Sequence, residues 1–385
     1  MKQCKHFGEC GGCRFQDIPY QGQLLSKEKK VKDLLLSSGL NTQLKPINHS
    51  NPFYYRNKME FSFSITNEGK ISCGFYKRGS RDKLVDLEEC LIFSADAGKI
   101  LGAVKEFVNE RGYSVYDKYL HKGFLRNLIV RETKFTNELM IALVTTSQEN
   151  LDREGLVEKL SSSELKSNLK SIYWIINDSL SDAVVFEKKE LLFGQEYIKE
   201  RLGDLEFLIG VDTFFQVNPK AVRGLYNKIR DYAGLCGTER VLDIFCGVGS
   251  IGLFLAKQAK FVWGVEAVGE ITELAFKNAK INNVENISFL TADARRFLNT
   301  QSIFYKDIDL LVINPPRAGL SKKIIRAISR LNPKNIIYSS CNPAALFRDL
   351  GELKAQYNFD FIEPFDFFPH TPHLEVLSVL SRTSI

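Results

Sequence analysis

Residues 241–252, VLDIFCGVGSIG, decide the fold expected for this chain. They combine an apolar run typical of a buried strand, a turn rich in glycine and the apolar beginning of a helix. Beyond them, short apolar runs alternate with helical patterns toward the C-terminus. This alternation is typical of a doubly wound, mostly parallel α/β sheet. We therefore expect residues 206–385 to form a Rossmann-like α/β domain.

The glycine-rich turn also predicts a cofactor site. Its glycines Gly247, Gly249 and Gly252 would let the backbone approach a ligand, and Glu266 ends the next predicted strand, where it can accept hydrogen bonds from ribose hydroxyls. This spacing suits both NAD and S-adenosylmethionine. The D-x-F-x-G-x-G pattern, Asp293 as an adenine contact after the third strand, and the NPPR after the fourth together favour S-adenosylmethionine.

A second candidate site lies in residues 338–346, YSSCNPAAL. The preceding apolar run predicts a buried strand that ends at Cys341, and Asn342 with Pro343 opens a helix. A thiol that faces a helix N-terminus lies where backbone N–H groups and the helix dipole favour the thiolate. Cys341 is therefore a candidate nucleophile, although a buried cysteine at a tight turn is the more common interpretation of a lone thiol.

The N-terminal segment brings three cysteines together in the chain. Cys4, Cys10 and Cys13 form C-x5-C-x2-C within a glycine-rich loop that would let their thiolates converge. As a fourth ligand we favour Cys90, at a predicted strand end, over Cys73, inside a strand. Four thiolates suit Zn²⁺ or an iron–sulfur cluster, and a spacing unlike the paired C-x2-C of a zinc ribbon favours the cluster.

Residues 1–205 show a different pattern from the rest of the chain. Alternating apolar residues at 61–65 and 71–76 predict a hairpin, and similar strands with few helices favour an antiparallel α+β domain, with the cysteine loop within residues 1–95. The stretch YKRGSRDK, residues 76–83, adds four basic residues to the aromatic residues of this hairpin. Both a nucleic-acid surface and an ordinary solvated hairpin fit that stretch.

Charge and hydropathy limit the classes of protein. The chain has 52 Lys and Arg against 46 Asp and Glu, a net charge of +6, which permits a polyanionic partner without requiring one. No apolar run reaches the ~20 residues of a membrane helix. The N-terminal MKQCKHFGEC lacks the apolar region of a secretory signal. We expect a cytoplasmic protein with no membrane association, whose eight cysteines stay reduced.

Three motifs make the chain resemble a known family over nearly its whole length. They are NPPRAGL (314–320), SSCNPAALFRDL (339–350) and TPHLEVLSVL (371–380). The chain resembles the bacterial RNA uracil-C5 methyltransferases, which implies a class I S-adenosylmethionine-dependent methyltransferase domain, an RNA substrate and a monomer. With its cysteine cluster, with NPPR in place of DPPR and with no TRAM module before Cys4, it looks most like the RlmC branch, which modifies 23S ribosomal RNA.

The resemblance assigns roles position by position. The residues that match S-adenosylmethionine contacts are Gln216, Phe245, Glu266 and Asn314. The residues that match ligands of a 4Fe-4S cluster are Cys4, Cys10, Cys13 and Cys90. Cys341 matches the nucleophile and Glu375 the base that removes the C5 proton. Asn314 departs from the Asp of other branches, so hydrogen bonding must replace charge at that contact.

The chemistry explains why two such groups are needed. Carbon 5 of uracil becomes nucleophilic enough to take a methyl group only after a thiolate adds to carbon 6, and a base must then remove the C5 proton. The target uracil must be flipped out or lie in a single-stranded loop. The same chemistry on tRNA or another rRNA uridine is an alternative, and a non-catalytic RNA-binding protein is a remote one. An NAD oxidoreductase would leave the SCNP and NPPR motifs unexplained.

Overall fold

The computed structural model describes residues 3–181, 184–301 and 307–383 of the chain. The α-helices are α1 (Tyr20–Ser38), α2 (Ala97–Glu110), α3 (Arg153–Ser161), α4 (Pro219–Ala233), α5 (Ser250–Ala256), α6 (Gly269–Ile281), α7 (Ala294–Arg296), α8 (Lys322–Leu331) and α9 (Pro343–Leu353), and a π-helical turn spans Phe297–Gln301. No helix in these ranges is both long and apolar enough to cross a membrane.

The strands form two large sheets and one hairpin. The strands of the first half of the chain are β1 (Gln43–Leu44), β2 (Lys58–Ile65), β3 (Ile71–Tyr76), β4 (Leu84–Asp86), β5 (Leu125–Glu132), β6 (Glu138–Thr145), β7 (Asn168–Ile176) and β8 (Lys188–Gly194). The remaining strands are β9 (Ile198–Leu202), β10 (Leu205–Ile209), β11 (Arg240–Ile244), β12 (Phe261–Glu266), β13 (Ile287–Thr291), β14 (Leu310–Ile313), β15 (Asn335–Ser340), β16 (Tyr357–Phe365) and β17 (Glu375–Arg382).

The C-terminal sheet has eight strands in the order β1-β16-β17-β15-β14-β11-β12-β13. Among them, β17 runs antiparallel to both its neighbours, while the other pairs are parallel. Central strands such as β11 and β14 are buried along nearly their whole length, because helices cover both faces. The predicted mostly parallel, doubly wound α/β sheet is confirmed.

One edge of this sheet collects the ends of many strands. The carboxyl ends of β11 to β15 meet there because these strands are parallel. Since β17 runs the other way, its first residue, Glu375, starts at the same edge, and Val376 pairs with Ser340 at the end of β15. In open α/β sheets this edge is where ligands bind.

The second sheet has seven strands, from residue 58 to residue 194, in the order β4-β3-β2-β5-β6-β7-β8. The expectation of an antiparallel sheet holds except at one pair, since β6 and β7 are parallel. There the expectation was wrong: helix α3 lies between the two strands in the chain and carries it back to the same end of the sheet. The domain is α+β with a mixed sheet.

The N-terminal segment also contacts the C-terminal sheet. Strand β1 pairs with β16 through Gln43 and Phe361. Val31 and Leu35 of α1 are buried in the same core as the central strands of that sheet. The domain boundary between residues 205 and 206 stays a prediction. Helix α1 and strand β1, which lie N-terminal to it, pack against the C-terminal sheet.

Candidate active site at the sheet edge

The turn after β11 adopts left-handed backbone at three positions. Phe245, Gly247 and Gly249 have φ of 65°, 54° and 79°. A β-carbon on Gly249 would lie 2.6 Å from the ring of Phe289, whereas one on Gly247 would have no atom within 4 Å. The backbone at Gly247 therefore faces open space. A non-glycine residue such as Phe245 in this region costs about 1–3 kcal/mol, and such strain collects at ligand clamps.

Two acids lie beneath this turn. Glu266, at the end of β12, accepts hydrogen bonds from the backbone N–H groups of Gly247 at 3.1 Å, Ala267 at 2.7 Å and Val268 at 3.1 Å. Asp243 is fully buried and accepts from Gly252 N–H at 3.0 Å. Burial, with a smaller contribution from Glu266, raises the pKa of Asp243 to about 7. Backbone donors and two acids thus fix the shape of the turn.

The other predicted cofactor residues come from neighbouring segments. Asn314 directly follows β14 and is half-buried. Gln216 precedes α4, and its carbonyl oxygen accepts a hydrogen bond from Asn57 Nδ2 at 2.9 Å. Asp293 follows β13, is exposed, and caps α7 by accepting from Arg296 N–H at 2.9 Å. The strand-end residues of this set lie at the ligand edge, and their contacts with a cofactor stay predictions.

Cys341 directly follows β15 and precedes α9, as predicted, and is half-buried. Burial raises the pKa of its thiol, and the nearby carboxylate of Glu375 raises it further. The guanidinium of Arg317 acts in the opposite direction, through its charge and a hydrogen bond to the thiol. The thiol is therefore close enough to both a carboxyl group and a guanidinium for each to affect its pKa.

Glu375 begins β17 and is 1% exposed. Burial raises the pKa of its carboxyl group to about 7, although Ser339 Oγ donates a hydrogen bond to Oε1 at 2.6 Å and opposes this rise. A carboxyl group with a pKa near neutrality can accept and release a proton at physiological pH. The structure thus brings the two predicted catalytic residues to one edge, within electrostatic range of each other.

Sequence reasoning gave no role to Arg317 or Ser339. Arg317 lies in the NPPRAGL motif, and its carbonyl oxygen accepts a hydrogen bond from Asn342 Nδ2 at 2.9 Å, which ties this loop to the start of α9. Ser339 lies two residues before Cys341, and side chains two apart on a strand share a face. Arg317 belongs to the NPPRAGL motif and Ser339 to the SSCNPAALFRDL motif, but only the fold shows which groups their side chains contact.

The four predicted cluster cysteines lie around one small cavity away from this edge. Cys4, Cys10, Cys13 and Cys90 all line it, and Cys73 does not. Burial raises the pKa of Cys13 and of Cys90 to about 12, and the other three thiols add to the effect at Cys90. Buried thiols this close together favour the thiolate form only with a compensating cation.

These thiols do not converge as ligands of a single ion would. In the part of the chain that the structure describes, no group of three or more His, Cys, Asp or Glu side chains has the spacing of a metal-ion site. One Zn²⁺ would draw four sulfurs to about 2.3 Å from a common centre. A 4Fe-4S cluster binds each thiolate through a different iron atom, so its sulfurs lie farther apart. The structure therefore places the four cysteines around one cavity and shows no metal site among the described residues.

A basic hollow lies between α7, the π-helical turn and α8. Its basic side chains are Arg295, Arg296, Lys323, Arg326 and Arg330, and Asp293 is its acidic residue. Within residues 3–181, 184–301 and 307–383, none of these five forms an ion pair with a carboxylate. Helix α8 starts near the ligand edge, because its chain follows the NPPRAGL loop after β14. We call this hollow the basic groove; its lining includes Asp293, one of the predicted cofactor residues.

Comparison with known proteins identifies the family of this chain. Residues 19–383 match the model of the tRNA (uracil-5-)-methyltransferase family. The chain is 37% identical to an uncharacterized RNA methyltransferase of Clostridium acetobutylicum, over 100% of this chain and 84% of that protein. It is 36% identical to another from Bacillus cereus, over 99% of this chain and 83% of that protein.

A solved structure shares the whole fold. The tRNA (uracil-54, C5)-methyltransferase of Pyrococcus abyssi, in complex with S-adenosyl-L-homocysteine, has a TM-score of 0.79 and 34% identity, covering 96% of this chain and 86% of that one. Both the class I methyltransferase-like sheet and the sheet of the first half lie within this match. Because the family model and these relatives cover almost the entire chain, the protein belongs to the RNA uracil-5 methyltransferase family.

Proposed function

We propose that this protein transfers a methyl group from S-adenosylmethionine to carbon 5 of a uracil in RNA, with Cys341 as nucleophile and Glu375 as base. The observation that carries this proposal is the pairing of a thiol and a buried carboxyl group at one ligand edge. The carboxyl group has its pKa raised to about 7, and the thiol lies near the guanidinium of Arg317. Neither a binding module nor an oxidoreductase needs this pair.

Each group has one task in the reaction. The Cys341 thiolate forms a bond to carbon 6 of uracil, and the electron pair moves to carbon 5 and O4. S-adenosylmethionine would supply the methyl group, which carbon 5 takes up as the methyl–sulfur bond breaks and S-adenosyl-L-homocysteine leaves. Glu375 then accepts the C5 proton as the Cys341–carbon 6 bond breaks, which returns the thiolate. Arg317 would favour the thiolate, and Ser339 would hold the Glu375 carboxylate in place.

For the cofactor we propose the residues around the glycine-rich turn. Gly247 presents backbone to open space, Phe245 is held in a strained conformation, and Glu266 and Asn314 lie at adjoining strand ends. Gln216 and Asp293 complete the proposed set from the segments that precede α4 and α7. The P. abyssi relative, solved with S-adenosyl-L-homocysteine, supports this cofactor.

We further propose that Cys4, Cys10, Cys13 and Cys90 hold a 4Fe-4S cluster. The support is the common cavity that all four thiols line, together with the burial of Cys90. The cluster would compensate the charge of four thiolates, and its role would be structural. Anaerobically purified protein should then contain about four iron atoms per chain, and one zinc per chain would contradict the assignment.

RNA as the partner is supported by the basic groove. Five basic side chains without ion pairs in the described ranges suit the phosphates of a nucleic acid. As the target we propose a uracil of 23S ribosomal RNA, flipped out from a single-stranded loop. A tRNA uracil is the second candidate, favoured by the P. abyssi relative, which acts on uracil 54 of tRNA. We also propose a monomer that works in the cytoplasm.

Methyl transfer to separated RNAs tests the function and its target together. Purified protein is incubated with labelled S-adenosylmethionine and with 23S rRNA, 16S rRNA or tRNA from cells that lack the gene. We expect 5-methyluridine to form in 23S rRNA at a single position. Methylation of tRNA alone would select the second candidate, and the absence of 5-methyluridine in every RNA would contradict the proposed reaction.

A further inference from the structure

The turn that delivers Glu375 to the ligand edge is held from the other end of the chain. Residues 366–373, here called the base turn, connect β16 to β17 and end two residues before Glu375. The N-terminal segment that follows Cys13 contacts this turn through both backbone and side chains. None of these contacts belongs to the sheet that carries Cys341.

His370 is the centre of the first set of contacts. Its carbonyl oxygen accepts hydrogen bonds from the backbone N–H groups of Arg14 at 2.7 Å and Phe15 at 3.1 Å. Its own N–H donates to Gln23 Oε1 at 2.9 Å, and its ring Nδ1 lies 3.1 Å from Gln23 Nε2. His370 has a left-handed backbone, with φ of 64°. These hydrogen bonds stabilise a backbone conformation that is otherwise unfavourable for a residue other than glycine.

Asp366 is the centre of the second set. Lys27 Nζ lies 2.5 Å from Asp366 Oδ1, and the side chains of this pair are 2% and 0% exposed. Lys27 also donates to the carbonyl oxygen of Phe368 at 2.9 Å, and Tyr20 donates to Asp366 Oδ2 at 2.9 Å. A buried ion pair with its remaining hydrogen bonds made fixes geometry more than it adds stability. Helix α1 therefore fixes the start of the base turn.

We propose that Gln23 and Lys27 are positioning residues for the methylation reaction, acting by holding the base turn so that Glu375 reaches the C5 proton. This inference rests on the proposed function of Glu375. The same contacts link the cysteine loop to catalysis, because Arg14 is the next residue after Cys13. Displacement of the turn would slow proton removal more than thiolate addition, because Cys341 lies at the end of a separate strand.

Two substitutions test this inference, each with a control on the same helix. Gln23→Met removes both polar contacts with His370, and Lys27→Met removes the ion pair. Gln21→Met and Lys29→Met change exposed side chains, and Lys29 forms an ion pair with Asp33 on the surface. The amount of RNA held covalently by the protein is measured on denaturing gels, together with kcat and the KM for S-adenosylmethionine.

Loss of positioning should change kcat and the adduct fraction in a way that a general loss of fold stability would not. We expect kcat to fall roughly 10- to 100-fold in Gln23→Met and Lys27→Met, the fraction of covalent RNA adduct to rise, and the KM for S-adenosylmethionine to stay unchanged. Gln23→Glu keeps an acceptor for the His370 N–H and should recover part of kcat. The two control variants should behave as the wild type does.

The contrary results separate this inference from the function on which it rests. Glu375→Gln serves as the reference for adduct formation, and its failure to form adduct would contradict the proposed function itself. If that variant forms adduct while Gln23→Met folds and forms no more than the wild type, the positioning role is wrong. Should Lys27→Met fail to fold, Gln23→Met alone decides, since it removes no charge.

Discussion

Two groups of cysteines in this chain share burial but differ in their neighbours. The carboxylate of Glu375 and the guanidinium of Arg317 both act on the pKa of Cys341. Around the other cavity, each of Cys4, Cys10, Cys13 and Cys90 lies close to other thiols. Burial raises the pKa of all five thiols. On the proposed roles, the neighbours of a thiol, rather than its burial, distinguish catalysis from ligation.

The largest effect is expected at Cys341. Cys341→Ala should lower methyl transfer by at least about 10⁴-fold, because the reaction loses its nucleophile. Binding of S-adenosylmethionine, measured by calorimetry, should be retained, since the glycine-rich turn follows a different strand. Cys236→Ala is the matched control, because that cysteine is exposed and far along the chain from both groups. A Cys341→Ala enzyme within tenfold of the wild type would contradict the assignment.

A substitution in the N-terminal group of cysteines should change the iron content of the protein. Cys13→Ser should lower the iron content and remove the brown colour of anaerobically purified protein, and should destabilise the fold by several kcal/mol, because metal-binding energy contributes to folding. Cys73→Ser is the control, since Cys73 is buried but does not line the cavity. Full iron content in Cys13→Ser would mean that the cluster has other ligands.

Much of the catalytic half could be predicted from the sequence. The pattern predicts a strand over residues 335–340 and a helix over 322–331, and β15 and α8 have these bounds. A run of apolar and small residues defines β15, and Ser321 caps α8 by accepting from Ile324 N–H. Helix α9, predicted over residues 343–357, is shorter: it ends at Leu353, and Tyr357 already begins β16. Hydrophobic periodicity cannot show that the chain from Tyr357 onward pairs with β17.

What the sequence could not supply depends on contacts distant in the chain. The parallel pairing of β6 with β7 and the addition of β1 beside β16 are choices of topology that no local pattern records. The partners of Glu375 follow from the register of β17 against β15. The contact between the side chains of Gln23 and His370 joins residues that are 347 positions apart in the chain. Motifs therefore located the proposed reacting groups, and only the fold located the residues around them.

The pH dependence of stability should separate Glu375 from a surface carboxylate. Its pKa is about 7 in the folded protein against an ordinary value of 4.5, so the folded state binds more protons between these pH values. Stability therefore falls as pH rises from about 4.5 to 7, by up to ~3 kcal/mol in total. Glu375→Gln removes this dependence, so its stability relative to wild type should increase between pH 5 and pH 8 in urea unfolding. Parallel profiles for the two proteins would show that the carboxyl group ionises normally.

The smallest effect is expected in the basic groove, whose lining includes no cysteine. Lys323→Gln with Arg326→Gln should raise the KM for RNA a few-fold and leave kcat unchanged, since these side chains would contact phosphates. The slope of log affinity against log salt should fall in magnitude by about 1.4, or ~0.7 for each lost contact with single-stranded RNA. Lys260→Gln with Lys280→Gln, two exposed lysines elsewhere, is the control of equal charge. Equal slopes in both double variants would exclude the groove from RNA binding.

The most direct test of the pairing of Cys341 with Glu375 is the capture of the covalent intermediate. Glu375→Gln is incubated with substrate RNA and S-adenosylmethionine and analysed on a denaturing gel, and the crosslinked peptide is identified by mass spectrometry. The expected result is an RNA–protein adduct at Cys341 that carries the transferred methyl group, and that is absent when Cys341→Ala is added to the same protein. A folded Glu375→Gln variant that binds RNA and cofactor but forms no adduct, or turns over as the wild type does, would contradict the account.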